Sequence, residues 1–118
     1  MVEALKPGGL VLDLQAIRPQ PVVESDGETI CELDGEWLLA RADAAAAAVD
    51  AAIADGRLVE EAADDHDVRK HYPSGSDLID DFSDSQRNVP VDALPRLRAL
   101  DRTCAVRERC RLRRLRVA

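Results

Sequence analysis

The last stretch of the chain, "CAVRERCRLRRLRVA" from Cys104 to Ala118, constrains the fold most. Arg107, Arg109, Arg111 and Arg113 recur at every second position, and Cys104, Val106, Cys110 and Leu112 alternate with them. A helix would scatter such a row around its axis; only an extended strand puts one set on each face. The segment 104–116 therefore predicts a long strand, with Glu108 interrupting its apolar row. Beyond Arg113 the apolar phase slips to Leu115 and Val117, which predicts a bulge near Arg113-Arg114.

A strand of alternate arginines needs counter-charge, and the rest of the chain carries it. Residues 1–95 hold 7 basic and 21 acidic side chains, whereas residues 96–118 hold 9 arginines against Asp101 and Glu108. The reading is internal pairing of a basic tail with an acidic body. A pI near 4.8 and only 3% aromatic residues argue against a nucleic-acid groove, which needs both net positive potential and stacking platforms. Three cysteines with no CxxC spacing suggest neither a zinc site nor a disulfide framework. Reduced thiols point to the cytoplasm. The longest apolar run, Ala44–Val49, is far too short to span a bilayer.

The remaining elements follow from local signals. Leu10, Val11, Leu12 and Leu14 are nearly continuous and read as a strand, 10–16, covered on both faces. Pro19 and Pro21 end it. Residues 21–33 read as a peripheral hairpin turning at Asp26-Gly27. Residues 35–55 show helical spacing, with Asp34 as N-cap and Gly56 just past the end. "LVEEAADD", 58–65, reads as a short second helix, and 67–72 as a strand ended by Pro73. Ser74, with Asp77 as reciprocal partner, caps a helix at 75–84. A last helix begins near Asp92 with Pro95 in its first turn. The fold class is α/β (or α+β). A single domain, 1–118, is expected.

The start of the chain suggests a relationship. "LKPGG", residues 5–9, reads as the last turn of a helix running through a turn into strand 10–16. Pro7 stops the helix, and Gly8 and Gly9 permit the tight reversal. With the string of elements behind it, this resembles the C-terminal part of class I S-adenosylmethionine-dependent methyltransferases. The resemblance implies a partial Rossmann-like fold in which 10–16, 67–72 and 104–116 match the fifth, sixth and seventh strands, in a small mixed sheet of order 10–16, 104–116, 67–72 with the last strand central and antiparallel to both. It implies a structural role for Lys6, Pro7, Gly8 and Gly9. In that family the cofactor is held by a glycine-rich loop after the first strand, and no GxGxG occurs in this sequence. The expectation is a truncated domain or split-enzyme half that binds no cofactor alone, and S-adenosylmethionine only if a partner chain completes it.

Few residues suggest chemistry. Asp13, Gln15 and Arg18 lie along and just beyond the first strand, on the side where open α/β sheets bind ligands; they are the substrate-side candidates. His66 and His71 are five apart and converge neither on a helix nor on a strand, so no metal site is expected. Three readings of function stand: a methyltransferase-like fragment, a non-enzymatic dimerisation or protein-interaction module, and a small-molecule binding domain. In the resembled family a fourth strand covers the outer edge of strand 10–16, so the resemblance implies an open edge here and a homodimer or a partner protein along it.

Overall fold

The alternating segment at the end of the chain does form one strand, and everything else is arranged about it. A computed structural model describes residues 6–82 and 88–118. In chain order the elements are strands β1 (Leu10–Ser25) and β2 (Glu28–Glu32), helix α1 (Glu36–Ala54), strand β3 (Leu58–Tyr72), helix α2 (Gly75–Phe82), a 3-10 turn (Val91–Ala93), helix α3 (Leu94–Arg98) and strand β4 (Cys104–Val117). The protein is a mixed α/β chain with a four-stranded sheet in the order β2-β1-β4-β3.

Every hydrogen-bonded neighbour pair in the sheet is antiparallel. The sheet is thus antiparallel rather than mixed, and a Rossmann-like methyltransferase fold, built on parallel neighbours, is not supported. β4 lies between β1 and β3, the position expected for it from the resemblance. The hairpin is less peripheral than expected, because its first arm continues β1. Asp26 (φ 51°) and Gly27 (φ 79°) make its two-residue turn, the positive φ pair of a type I′ hairpin.

β4 carries no bulge. Its pairing with β3 shifts between Glu60 and Ala62 of β3, and its pairing with β1 shifts between Ile17 and Val22 of β1. The slip of apolar phase has another cause: the sheet is covered on opposite faces at its two ends. Cys104 and Val106 pack with Val23, Leu33, Tyr72, Leu78 and Leu97, beneath α2 and α3. Leu115 and Val117 pack with Ala52 of α1 and with Leu58. Even-numbered and odd-numbered side chains of one strand face opposite ways, so each core takes a different set.

The segment 58–65 is strand, not helix. Alanine and glutamate favour a helix locally, but β4 offers a cross-strand arginine for three of the four acids. Glu60 pairs with Arg113, Glu61 with Arg114 and Arg116, and Asp65 with Arg111. Nonlocal pairing of this kind overrides propensity.

The helix signals hold with small changes. α1 ends in a Schellman motif: Gly56 (φ 76°) donates to the Ile53 carbonyl and Arg57 to the Ala52 carbonyl. Gly35 rather than Asp34 is its N-cap, although the Asp34 carboxylate still accepts from the Glu36 amide at 3.1 Å. The Asp77 amide donates to Ser74 Oγ at 3.2 Å at the start of α2. Residues 83–84 of the expected helix, and the expected helix end at 1–5, lie outside the described residues. Lys6, Pro7, Gly8 and Gly9 form a turn closed by Gly9 N–H to the Lys6 carbonyl (3.0 Å), with Gly8 at φ 79°. Pro second and a positive φ third is the type II pattern, so Gly8 is the conformationally required glycine.

Candidate functional site

Two of the three predicted site residues come together. Asp13 and Gln15 lie on the α1-covered face of the sheet, and Gln15 Nε2 donates to Asp13 Oδ1 at 3.1 Å. Arg18 does not join them. It sits where β1 leaves its pairing with β4, and it donates to both oxygens of Glu36 at 2.8 Å and to Asp43 at 3.0 Å. Its hydrogen bond holds the Glu36 carboxyl below the usual carboxylate range. Arg18 therefore ties β1 to α1 rather than facing a substrate. Beside Gln15 the surface is a shallow groove against Leu38, Arg41 and Ala45 of α1.

The arginine row is matched by acids along its length. Arg107 contacts Glu24 at 3.1 Å, Arg109 contacts Asp67 at 3.2 Å and Arg111 contacts Asp65 at 2.7 Å. Hydrogen bonds from Arg69 and then Arg107 hold Glu24 below its ordinary value, Arg111 does the same for Asp65, and Arg116 for Glu61. Arg113 is the one largely buried cation among them, its side chain only 9% exposed, and Asp50 lies 2.9 Å from it. Burial pulls its pKa down, and the hydrogen bonds it donates to Glu60 and Asp50 outweigh that pull. A phosphate backbone would have to displace these carboxylates, so the row is a cross-strand ladder with its counter-charge in place.

The two histidines fall on opposite faces of β3. His66 pairs across the sheet with Cys110, and His71 with Ala105. Among the described residues no group of three or more His, Cys, Asp and Glu side chains is arranged to hold a metal. The three cysteines are unbridged. No described helix is long and apolar enough to cross a membrane.

The most distinctive surface is one the sequence reading placed inside. Strand 10–16 was expected to be covered on both faces. Only Val11 joins a core, beneath α1. Leu10, Leu12 and Leu14, on the other face, are 49%, 64% and 60% exposed, and Leu112 beside Leu14 is also exposed. α2 and α3 cover only the far end of that face. The outer edge of the strand is open as well: β2 pairs with Val22–Ser25 alone, and among the described residues no strand lies beyond Leu10–Ile17. The alternation of Leu10, Leu12 and Leu14 with Asp13 and Gln15 was the available signal for a one-sided strand; Val11 masked it. Comparison of the chain with family models, curated proteins and solved structures finds no match.

Proposed function

We propose that the chain is a non-enzymatic association module whose working surface is the leucine-bearing, unpaired stretch Leu10–Ile17 of β1. The observation that carries this reading is the coincidence of two open features on one segment. Three leucines stand about half exposed or more on one face, and among the described residues no strand lies beside the hydrogen-bonding edge of the same segment. Natural sheets blunt their free edges with charge, proline or bulges, and an exposed apolar stripe marks contact surfaces. The residues first suggested for substrate give less support to an enzyme, since Arg18 is engaged by Glu36 and Asp43. Sedimentation across a concentration series tests the reading. Dimer or higher assembly at about 100 μM, where a micromolar complex is saturated, is expected; a monomer throughout would overturn it.

A second reading retains the methyltransferase ancestry, with S-adenosylmethionine bound only in a complex completed by another chain. Its support is the position of β4, between β1 and β3 and antiparallel to both, which is the arrangement the resemblance implies. Calorimetric titration of the chain with S-adenosylmethionine tests both readings at once: neither expects binding by the chain alone, and heat of micromolar binding would contradict both.

A further inference from the structure

We infer that the occupant of the open edge is a second copy of this chain, paired antiparallel through β1 with Leu12 on the two-fold axis. The inference rests on the association reading above and names the partner and the register.

The direction of the unpaired amides limits the register. Val117 donates to the Gly9 carbonyl at 2.9 Å, so Gly9 turns its carbonyl to β4. In an antiparallel strand this alternates. Val11, Asp13 and Gln15 therefore also bond to β4, and Leu10, Leu12, Leu14 and Ala16 turn their N–H and C=O groups to the open edge. A two-fold axis normal to the sheet requires one residue to face its own copy, because opposed residues share a face. Centred on Leu12, the contact forms complete hydrogen-bonded pairs, Leu12 with Leu12 and Leu10 with Leu14. The six leucines then make one continuous apolar strip across the joined sheets. Centred on Asp13, it sets two carboxylates directly opposite in the closely spaced kind of pair, which is unfavourable. In the Leu12 register Asp13 faces Val11 instead.

Charge favours the same partner and distinguishes this edge from the other. The Leu12 register carries the strand end bearing exposed Lys6 toward the second copy's Arg18–Glu36–Asp43 cluster, one cation held by two carboxylates. The opposite edge of the sheet, β3, bears Glu61, Asp64, Asp65, Asp67, Arg69 and Lys70, all exposed, and a bulge after Glu60. Those are the features that keep an edge unpaired. β1 from Leu10 to Ile17 has one charge, Asp13, and no proline.

Cysteine cross-linking in the full chain reads the register, in a Cys110→Ser background that removes the half-exposed native thiol. Leu12→Cys places two Cα atoms about 5.5 Å apart across a hydrogen-bonded pair, within disulfide range. Leu14→Cys alone puts its copies far beyond that range, whereas mixing Leu10→Cys with Leu14→Cys restores a bridge. The expected result under mild oxidation is on the order of tenfold more cross-linked dimer for Leu12→Cys and for the mixture than for Leu14→Cys alone. Sedimentation of each sample runs alongside. A dimer by sedimentation that cross-links no better through Leu12→Cys than through Leu14→Cys overturns the register and leaves the association reading standing. A monomer by sedimentation overturns both.

Discussion

Leu12→Thr tests the energetic content of the open edge. Burying a leucine completely is worth about 1.5–3 kcal/mol, and Leu12 is 64% exposed in the single chain, so roughly 1–2 kcal/mol of that remains to be gained. On a two-fold axis the side chain meets its own copy, so both contributions vanish together. Threonine keeps a methyl group and a strong strand preference, which leaves a net loss of about 2 kcal/mol for the dimer, roughly 30-fold in Kd. The single chain loses little, since most of the side chain faces water there; a stability change under about 1 kcal/mol is expected. Sedimentation velocity across a dilution series measures the Kd, and urea unfolding followed by circular dichroism measures the stability. Leu112→Thr is the control. Leu112 lies on the same face but one strand inward, so edge pairing leaves it nearly untouched, whereas packing face to face would use it. A Leu12→Thr Kd unchanged within about threefold, equivalent to less than 1 kcal/mol, would refute the reasoning. So would an equal loss from Leu112→Thr, which would move the contact from the edge to the face.

Other perturbations test the packing and the charge ladder. At Gly75 an added Cβ would lie 1.9 Å from the Leu97 carbonyl oxygen, so Gly75→Ala must part α2 from α3. Overpacking costs about 1–3 kcal/mol, and disturbing the Gly75 amide bond to the Leu100 carbonyl adds about 1 kcal/mol. A drop of about 2–4 kcal/mol in urea unfolding is expected; Ser76→Ala, one residue on and exposed, should stay within about 0.5 kcal/mol. Stability should also fall at both ends of the pH scale. Glu24, Glu61, Asp65 and Asp81 are held below their ordinary values by Arg69, Arg116, Arg111 and Tyr72 respectively. Their contribution is full above the unfolded carboxylate pKa of about 4 and is lost as pH falls below it. Burial pushes the Cys31 and Cys104 thiols up, so stability declines again as pH rises past the ordinary thiol value of about 8.5. Melting temperatures from pH 3 to 10 should show a plateau with two falling limbs; a flat acid limb would mean that the ladder contributes nothing.

The parts of this fold legible in the sequence are those set by neighbours in the chain. The type I′ turn at Asp26-Gly27, the Schellman end at Gly56 and the Ser74–Asp77 cap each need only a few adjacent residues. The parts misread depend on residues far away. "LVEEAADD" reads as helix until Arg111, Arg113, Arg114 and Arg116 are placed beside it; no local pattern contains that information. The slip of phase in β4 reads as a bulge because a single strand cannot announce which face is covered at each end. Arg18 is the corresponding case for the site. Its position past the first strand suggested a ligand, whereas Glu36 and Asp43, 18 and 25 residues further on, claim it for the fold.

The change of covered face explains why the leucine stripe is left open. α1 takes the odd-numbered side of the sheet at the Leu115–Val117 end, and α2 with α3 takes the even-numbered side at the Cys104–Val106 end. Each cover reaches only part of its face, along a molecule 53 Å in its longest extent. On the α1 side, the uncovered part is filled by the ladder of Arg107, Arg109 and Arg111 with Glu24, Asp67 and Asp65. Such a ladder tolerates water on its outer side, because exposed ion pairs are close to neutral in free energy. On the α2 side the uncovered part next to β1 is filled by Leu10, Leu12 and Leu14, which gain nothing from water. A strand serving only as internal structure could carry polar residues at these three positions without loss; across β4 from them β3 carries Val59, Ala62 and Asp64, with Glu61 bonded to Arg114 and Arg116. Three leucines on the β1 side of β4, against a β3 side where Glu61 and Asp64 interrupt the apolar residues, are the asymmetry expected when one edge meets another chain and the other must stay apart.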